Sequence, residues 1–253
     1  MNYDISTVED CRHTLQSLTG FSLWDDLYDI YKYHYQDNPD KIRDIIIEHN
    51  KLNITANTEN FYFNLLHVTT SANGCADIKQ HGLNDLSWAL NHNTELKKFL
   101  NDNAIFIIES EHKMYIDSKE YILAEKDVGF KLYRDKDVCG SFQINKNSPY
   151  GGNVHIRPEI LFNINKYVSG KDLEHTWYTT HNPYIVKFQV PYQNMDIALE
   201  MSIKNECVEN VLDKLLSYAM DTFFYRRFDS DKIGILKRNR FVPPEDILAI
   251  TNY

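Results

Sequence analysis

The apolar rhythm of the chain changes once, near Asn60. Before that point hydrophobic positions recur at helical spacing. Leu15, Leu18, Phe21, Leu23 and Trp24 form one stripe, and Leu27, Ile30 and Tyr31 belong to a second helix. Thr7 followed three residues later by Asp10 is capping-box-like and predicts the start of the first helix. Asn38-Pro39 breaks the second, because the residue before proline avoids helical backbone. Ile42, Ile45 and Ile46 place a third helix over Asp40–His49. Residues 1–58 therefore read as an N-terminal helical cap or subdomain that carries no obvious chemistry.

From Asn60 onward short runs rich in Ile, Val, Phe and Tyr are bounded by Asn, Gly, Asp or Pro. They predict strands over 61–68, 104–109, 121–124, 128–133, 153–157, 184–190 and 247–251. Helices are expected over 74–80, 85–100 and 206–225; the last places Val208, Val211, Leu212, Leu215, Leu216 and Met220 at helical spacing. There is no internal repeat and no low-complexity linker. The pattern predicts an α+β protein, with residues 59–253 as the sheet-bearing domain behind the helical segment.

Composition narrows the function classes. The 253 residues suffice for one large domain or two small ones, and 43% apolar with 25% charged residues is ordinary for a globular protein. A net charge of −9 argues against a broad nucleic-acid surface. The one local exception is the basic stretch 226–240, with Arg226, Arg227, Lys232, Lys237, Arg238 and Arg240, which reads first as a solvated face and otherwise as a local patch. The four cysteines are far apart and form no CxxC pair, so neither a disulfide framework nor a zinc knuckle is expected and a reducing cytoplasm fits. No run approaches the ~18 apolar residues of a membrane span. The opening MNYDISTVEDC is acidic and polar, unlike a secretory signal. The 17 tyrosines, with abundant Asn, Ile and Lys, are in part what an AT-rich coding sequence yields.

The chemistry concentrates in FYFNLLHVTTSANGCADIKQHGL, Phe61 to Leu83. A strand-like run ends in His67 and is followed by Thr69, Thr70 and Ser71, then by a short helical stretch closed at Gly82-Leu83. Residues i and i+2 of an extended chain face the same way, so His67, Thr69 and Ser71 can share one face. The imidazole fits a general base, a metal ligand, a ribose-binding donor or a satisfied core residue. The hydroxyls fit the same face or a cap for the helix beginning near Asn73. HExxH, P-loop, GxSxG and GxGxxG motifs are absent, and no histidine spacing suggests a metal. His112, His155, His175 and His181 are scattered; the last two, near Trp177 and Tyr178, read as a polar loop or as contributors to a site.

His67-Val68-Thr69-Thr70-Ser71, Ile78 and Gly82-Leu83 resemble the first motif of the histidine-class ADP-ribosyltransferase-like superfamily. That family includes poly-ADP-ribose polymerases, diphtheria-type toxins and bacterial toxins of antiphage and toxin–antitoxin systems. The resemblance implies a split mixed or antiparallel sheet and NAD as substrate. It further implies that His67 bonds the ribose, with Thr69, Ser71 and Gly82 around it. Tyr150, in Pro149-Tyr150-Gly151-Gly152, is then the aromatic that stacks on nicotinamide, with Tyr184 behind it. Arg157 is placed to pair with the pyrophosphate; otherwise it pairs on the surface with Glu159 or an aspartate. Asn182-Pro183-Tyr184 to Pro191 resembles the penultimate strand of many bacterial members. Arg240 to Ile247 resembles their closing segment.

The chain departs from the family where a catalytic glutamate is expected, because Ile233 to Arg240 is basic there. Glu245 is the nearest acid; it reads as the catalytic carboxylate or as a solvated turn. The implied activity is ADP-ribosyl transfer from NAD to an unidentified macromolecule, as in toxin or phage–host conflict. The alternative is a catalytically degenerate nucleotide-binding or protein-interaction module of the same fold. Residues 1–58 are the expected docking point for a protein partner.

Overall fold

The structure, a computed structural model, describes residues 1–20, 24–35, 42–50, 60–124, 127–147 and 153–253. Phe21, Leu23, Asn38-Pro39 and the tyrosine–glycine turn Tyr150–Gly152 lie outside the described residues. Helices in chain order are α1 (Val8–Thr19), α2 (Trp24–Ile30), α3 (Ile42–Asn50), α4 (Ala76–His81), α5 (Leu86–Asn91), α6 (Glu95–Asp102), α7 (Val128–Tyr133), α8 (Glu159–Asn165), α9 (Leu173–Tyr178) and α10 (Val208–Tyr225). Strands are β1 (Asn2–Tyr3), β2 (Tyr62–Ser71), β3 (Ile105–Ile108), β4 (Lys113–Ile116), β5 (Lys119–Ile122), β6 (Cys139–Ser141), β7 (Asn182–Pro191), β8 (Met195–Ala198), β9 (Met201–Ser202), β10 (Ile233–Leu236) and β11 (Ile247–Asn252). The fold is α+β, with sheets paired mostly antiparallel.

The chain divides into two compact units, both discontinuous in sequence. One comprises Met1–Leu66, Cys139–Pro149 and Gln189–Leu236; the other comprises His67–Val138, Tyr150–Phe188 and Lys237–Tyr253. The boundaries fall inside β2 and β7. The N-terminal helices share a unit with seven strand segments and α10.

In the first unit α1 starts as its sequence predicts. Thr7 Oγ1 accepts from Asp10 N at 3.0 Å, and Gly20 closes the helix in left-handed backbone at φ 72. α10 buries Val211, Leu212, Leu215, Leu216, Ala219 and Met220, and α1 and α3 pack against it. β1 runs parallel to the start of β2, and β6, β10, β8 and β9 continue antiparallel from Leu66↔Ser141. Tyr3, Phe61, Phe63, Phe142 and Tyr192 form an aromatic core through mostly edge-on contacts.

In the second unit β3, β4 and β5 make a three-stranded antiparallel sheet. Its inner face joins a core containing Leu100, Ile105, Met114, Leu132, Leu161 and Trp177. β7 pairs with β11 from Phe188↔Ile247 to Tyr184↔Asn252, so the penultimate and final long strands are neighbours.

Three local expectations are corrected. Residues 128–133 are helical, not a strand: Val128 and Leu132, one turn apart, are both buried, and a Cβ on Gly129 would meet the Ala124 carbonyl oxygen at 1.8 Å. Residues 153–157 form a turn, in which Ile156 N and Arg157 N both donate to Asn153 O before Pro158 opens α8. The predicted helix 85–100 is two helices, because Thr94 caps a new one by accepting from Lys97 N at 3.2 Å.

Candidate functional site

The candidate site lies in the second unit, where β2 ends. His67, Val68 and Thr69 are half-buried, and Thr70 and Ser71 are buried. Thr70 accepts a hydrogen bond from Trp177 Nε1 at 2.8 Å. Ser71 Oγ lies 2.7 Å from Glu95 Oε2 and 2.9 Å from Asn73 Oδ1, and it accepts from Cys75 N at 2.8 Å. Asn73 Oδ1 in turn accepts from Ala76 N at 2.8 Å. Ser71 and Asn73 thus supply the cap of α4, since Cys75 at its N-terminus, at φ 60, offers no side-chain acceptor.

Glu95 ties this turn to α6. Its Oε1 accepts from Ala72 N at 3.0 Å, while its own N–H donates to Asp77 Oδ2 at 2.9 Å. Cys75 is packed beneath, and burial pushes its thiol up to about 11. A cysteine so placed is a packing residue rather than a nucleophile.

Beyond α4 the backbone makes a close approach that only glycine permits. Gly82 sits at φ +75, and a Cβ there would lie 1.9 Å from the Val242 carbonyl oxygen. Leu83 and Val242 then form an antiparallel bridge, with N–H to O distances of 2.9 Å in both directions. The 67–83 segment is therefore joined directly to the closing segment, whose short turn Pro244–Asp246 packs against α4. Glu245 stands exposed on that turn. Tyr184 lies half-buried on β7 opposite Asn252.

Arg157 is buried, with its Nε 2.5 Å from Glu174 Oε2 and its guanidinium 5.2 Å from the Phe162 ring centroid. The expected surface partner Glu159 pairs instead with Lys131 at 2.6 Å. Tyr150 lies outside the described residues. In the basic stretch, Lys232 of the first unit is paired with Glu200 at 2.8 Å. Lys237, Arg238 and Arg240, in the second, are exposed, and Arg238 donates to the Tyr133 carbonyl at 3.1 Å.

Trp177, His181 and Glu95 also belong to this region. Trp177 and His181 stack with ring centroids 3.5 Å apart and planes at 12°, and Phe99 meets the indole edge-on at 5.0 Å. Burial lowers the His181 pKa, against the opposing pull of the Trp177 carbonyl and Glu95. The Thr94 cap is the only signal for Glu95 in the sequence; its bond to Ser71 spans 24 positions. Among the described residues no group of three His, Cys, Asp or Glu side chains is placed to hold a metal ion. The second unit also holds a half-open groove of about 650 Å³ beside β3, and none of its lining residues is one of the predicted site residues.

No family model, curated protein or solved structure matches the chain.

Proposed function

We propose that the chain is a histidine-class ADP-ribosyltransferase-like protein that uses NAD at the β2–α4 edge. The observation that carries this reading is the union of the 67–83 and 240–247 segments at Leu83↔Val242, beside the β7–β11 pair. Those are the pieces that resemble the family, and they come from distant parts of the chain.

In this reading His67 hydrogen-bonds the nicotinamide ribose and orients it, and Tyr150 stacks on the nicotinamide ring. The nicotinamide–ribose bond breaks with its electron pair leaving on nicotinamide, and positive charge develops at the ribose. Glu245 provides the carboxylate that stabilises that charge. A nucleophile of the acceptor macromolecule closes the reaction by bonding the ribose carbon and losing its proton.

The test is incubation with labelled NAD and protein, RNA or DNA acceptors, comparing the native chain with His67→Ala. Nicotinamide release that depends on His67 supports the reading. No release and no label transfer from the native chain defeats its enzymatic form.

A second reading is nucleotide binding without turnover. It is favoured by the exposure of Glu245, the one carboxylate assigned to turnover. Calorimetry with NAD and ADP-ribose separates the two: saturable binding without nicotinamide release selects this one.

A further inference from the structure

The groove beside β3 has a composition unlike the β2–α4 edge. Leu90 and Leu100 from α5 and α6 meet Phe106, Ile107 and Tyr115 of the small sheet. Its volume, about 650 Å³, falls within the ~300–1,000 Å³ typical of ligand sites. Three features define what fits there.

First, β3 is an edge strand. The sheet order is β3-β4-β5, and among the described residues β3 pairs with no strand but β4. In an antiparallel pair alternate residues turn their N–H and C=O groups away from the partner, so β3 presents a row of backbone donors and acceptors outward. Second, three apolar side chains stand exposed on the outer face of this sheet, Phe106 at 50%, Ile108 at 37% and Ile122 at 78%, around the Lys113–Glu120 ion pair at 3.1 Å. Third, among the described residues Lys97 is the one ionisable cation lining the groove. Its Nζ donates to the Asn91 carbonyl at 3.2 Å, and no described carboxylate lies within ion-pair distance. The exposed ammonium at the rim of the groove complements an anion on the occupant.

We propose that this groove binds an extended peptide of a partner protein. The peptide adds as a strand to β3, sets alternate apolar side chains against Phe106 and Ile108, and directs a carboxylate to Lys97. Backbone pairing supplies affinity, and the apolar pockets and Lys97 supply selectivity. The proposal stands apart from the β2–α4 reading and uses none of its residues.

The probe is a display library of random octapeptides with free C-termini, selected on the full chain. Enriched sequences should alternate apolar residues and carry a carboxylate at a fixed position. The best is then synthesised in native form, with its carboxylate converted to an amide, and with alternate backbone nitrogens methylated. Fluorescence anisotropy should show saturable binding of the native form. Amidation should cost about tenfold or more, as for a charge-assisted hydrogen bond. Lys97→Met should cost the same and make the amide no worse, while the N-methylated form should fail to bind. Lys97 is on the helix surface, and circular dichroism checks that the variant folds.

No enrichment over Lys97→Met, equal binding of the N-methylated form, or equal binding of the amide would each overturn the proposal. So would a concentration-dependent dimer lost in Phe106→Asp, because the occupant would then be a second copy of the chain.

Discussion

Trp177 is held on two sides: it lies flat against His181 at 3.5 Å between centroids, and its Nε1 donates to Thr70 at 2.8 Å. The indole is 2% exposed and Thr70 7%, so water does not replace that acceptor. Thr70→Val keeps the shape of the side chain and removes the oxygen. It is expected to destabilise the protein by about 1–3 kcal/mol, the cost of a buried donor left unpaired. Thr70→Ser should recover most of the loss. Urea unfolding followed by tryptophan fluorescence measures both.

His181 makes stability depend on pH. Its Nδ1 lies 3.0 Å from the Trp177 carbonyl, which only accepts, so this nitrogen carries the hydrogen in the neutral ring. Burial holds the folded pKa below the ordinary value of 6.5. The unfolded state therefore binds the proton more readily. The contribution is fully present above about pH 6.5 and is lost as pH falls through the lower folded value. For this one proton the slope is at most about 1.4 kcal/mol per pH unit. His181→Gln should flatten the change in urea midpoint between about pH 7.5 and 5 without matching it at the upper end, where the stacking contact is also lost.

Gly82 tests the junction on which the functional reading depends. Alanine there meets two penalties: left-handed backbone at φ +75, and a Cβ 1.9 Å from the Val242 carbonyl oxygen. The first alone costs roughly 1–2 kcal/mol. The second forces the closing segment away from α4, because the obstructing atom is backbone. Gly82→Ala is expected to lose more than about 2 kcal/mol of stability. Hydrogen exchange at Leu83 and Val242, whose amides bond each other's carbonyls, should rise more than exchange in α10.

Long periodic segments were legible from the sequence and short ones were not. β2, β7, β11 and α10 each carry enough repeats of their period to announce themselves, and Thr7 with Asp10 marked α1 to the residue. β6, β8, β9 and β10 are two to four residues long, too few to display an alternation. The β4–β5 hairpin turns on Asp117 and Ser118, both at positive φ, without the Asn-Gly pair that usually signals such a turn. At the β2–α4 edge, the end of the strand near His67 and the turn at Gly82 were legible because each pattern is local. Glu95 and Trp177 were not, because each reaches its partner across a distance in sequence that no pattern encodes.

Arg157 separates a structural role from a ligand-binding one. Its side chain is 5% exposed and paired with Glu174, which is 28% exposed, and Asn165 Nδ2 lies 3.4 Å from the other carboxylate oxygen. Removing the guanidinium leaves Glu174 partly buried without its cation. Removing the carboxylate takes the Glu174 ion pair from the more deeply buried Arg157, which costs more. Glu174→Ala is therefore expected to lose about 2–4 kcal/mol, somewhat below the range for fully buried pairs because of the carboxylate's exposure, and Arg157→Met less. Replacing both, with Met at 157 and Leu at 174, should recover part of the loss, since a well-packed apolar pair avoids the desolvation of two charges. A double-mutant cycle in urea reads the coupling. If Arg157 serves chiefly a bound pyrophosphate, Arg157→Met will instead leave the urea midpoint in place and weaken NAD binding in calorimetry.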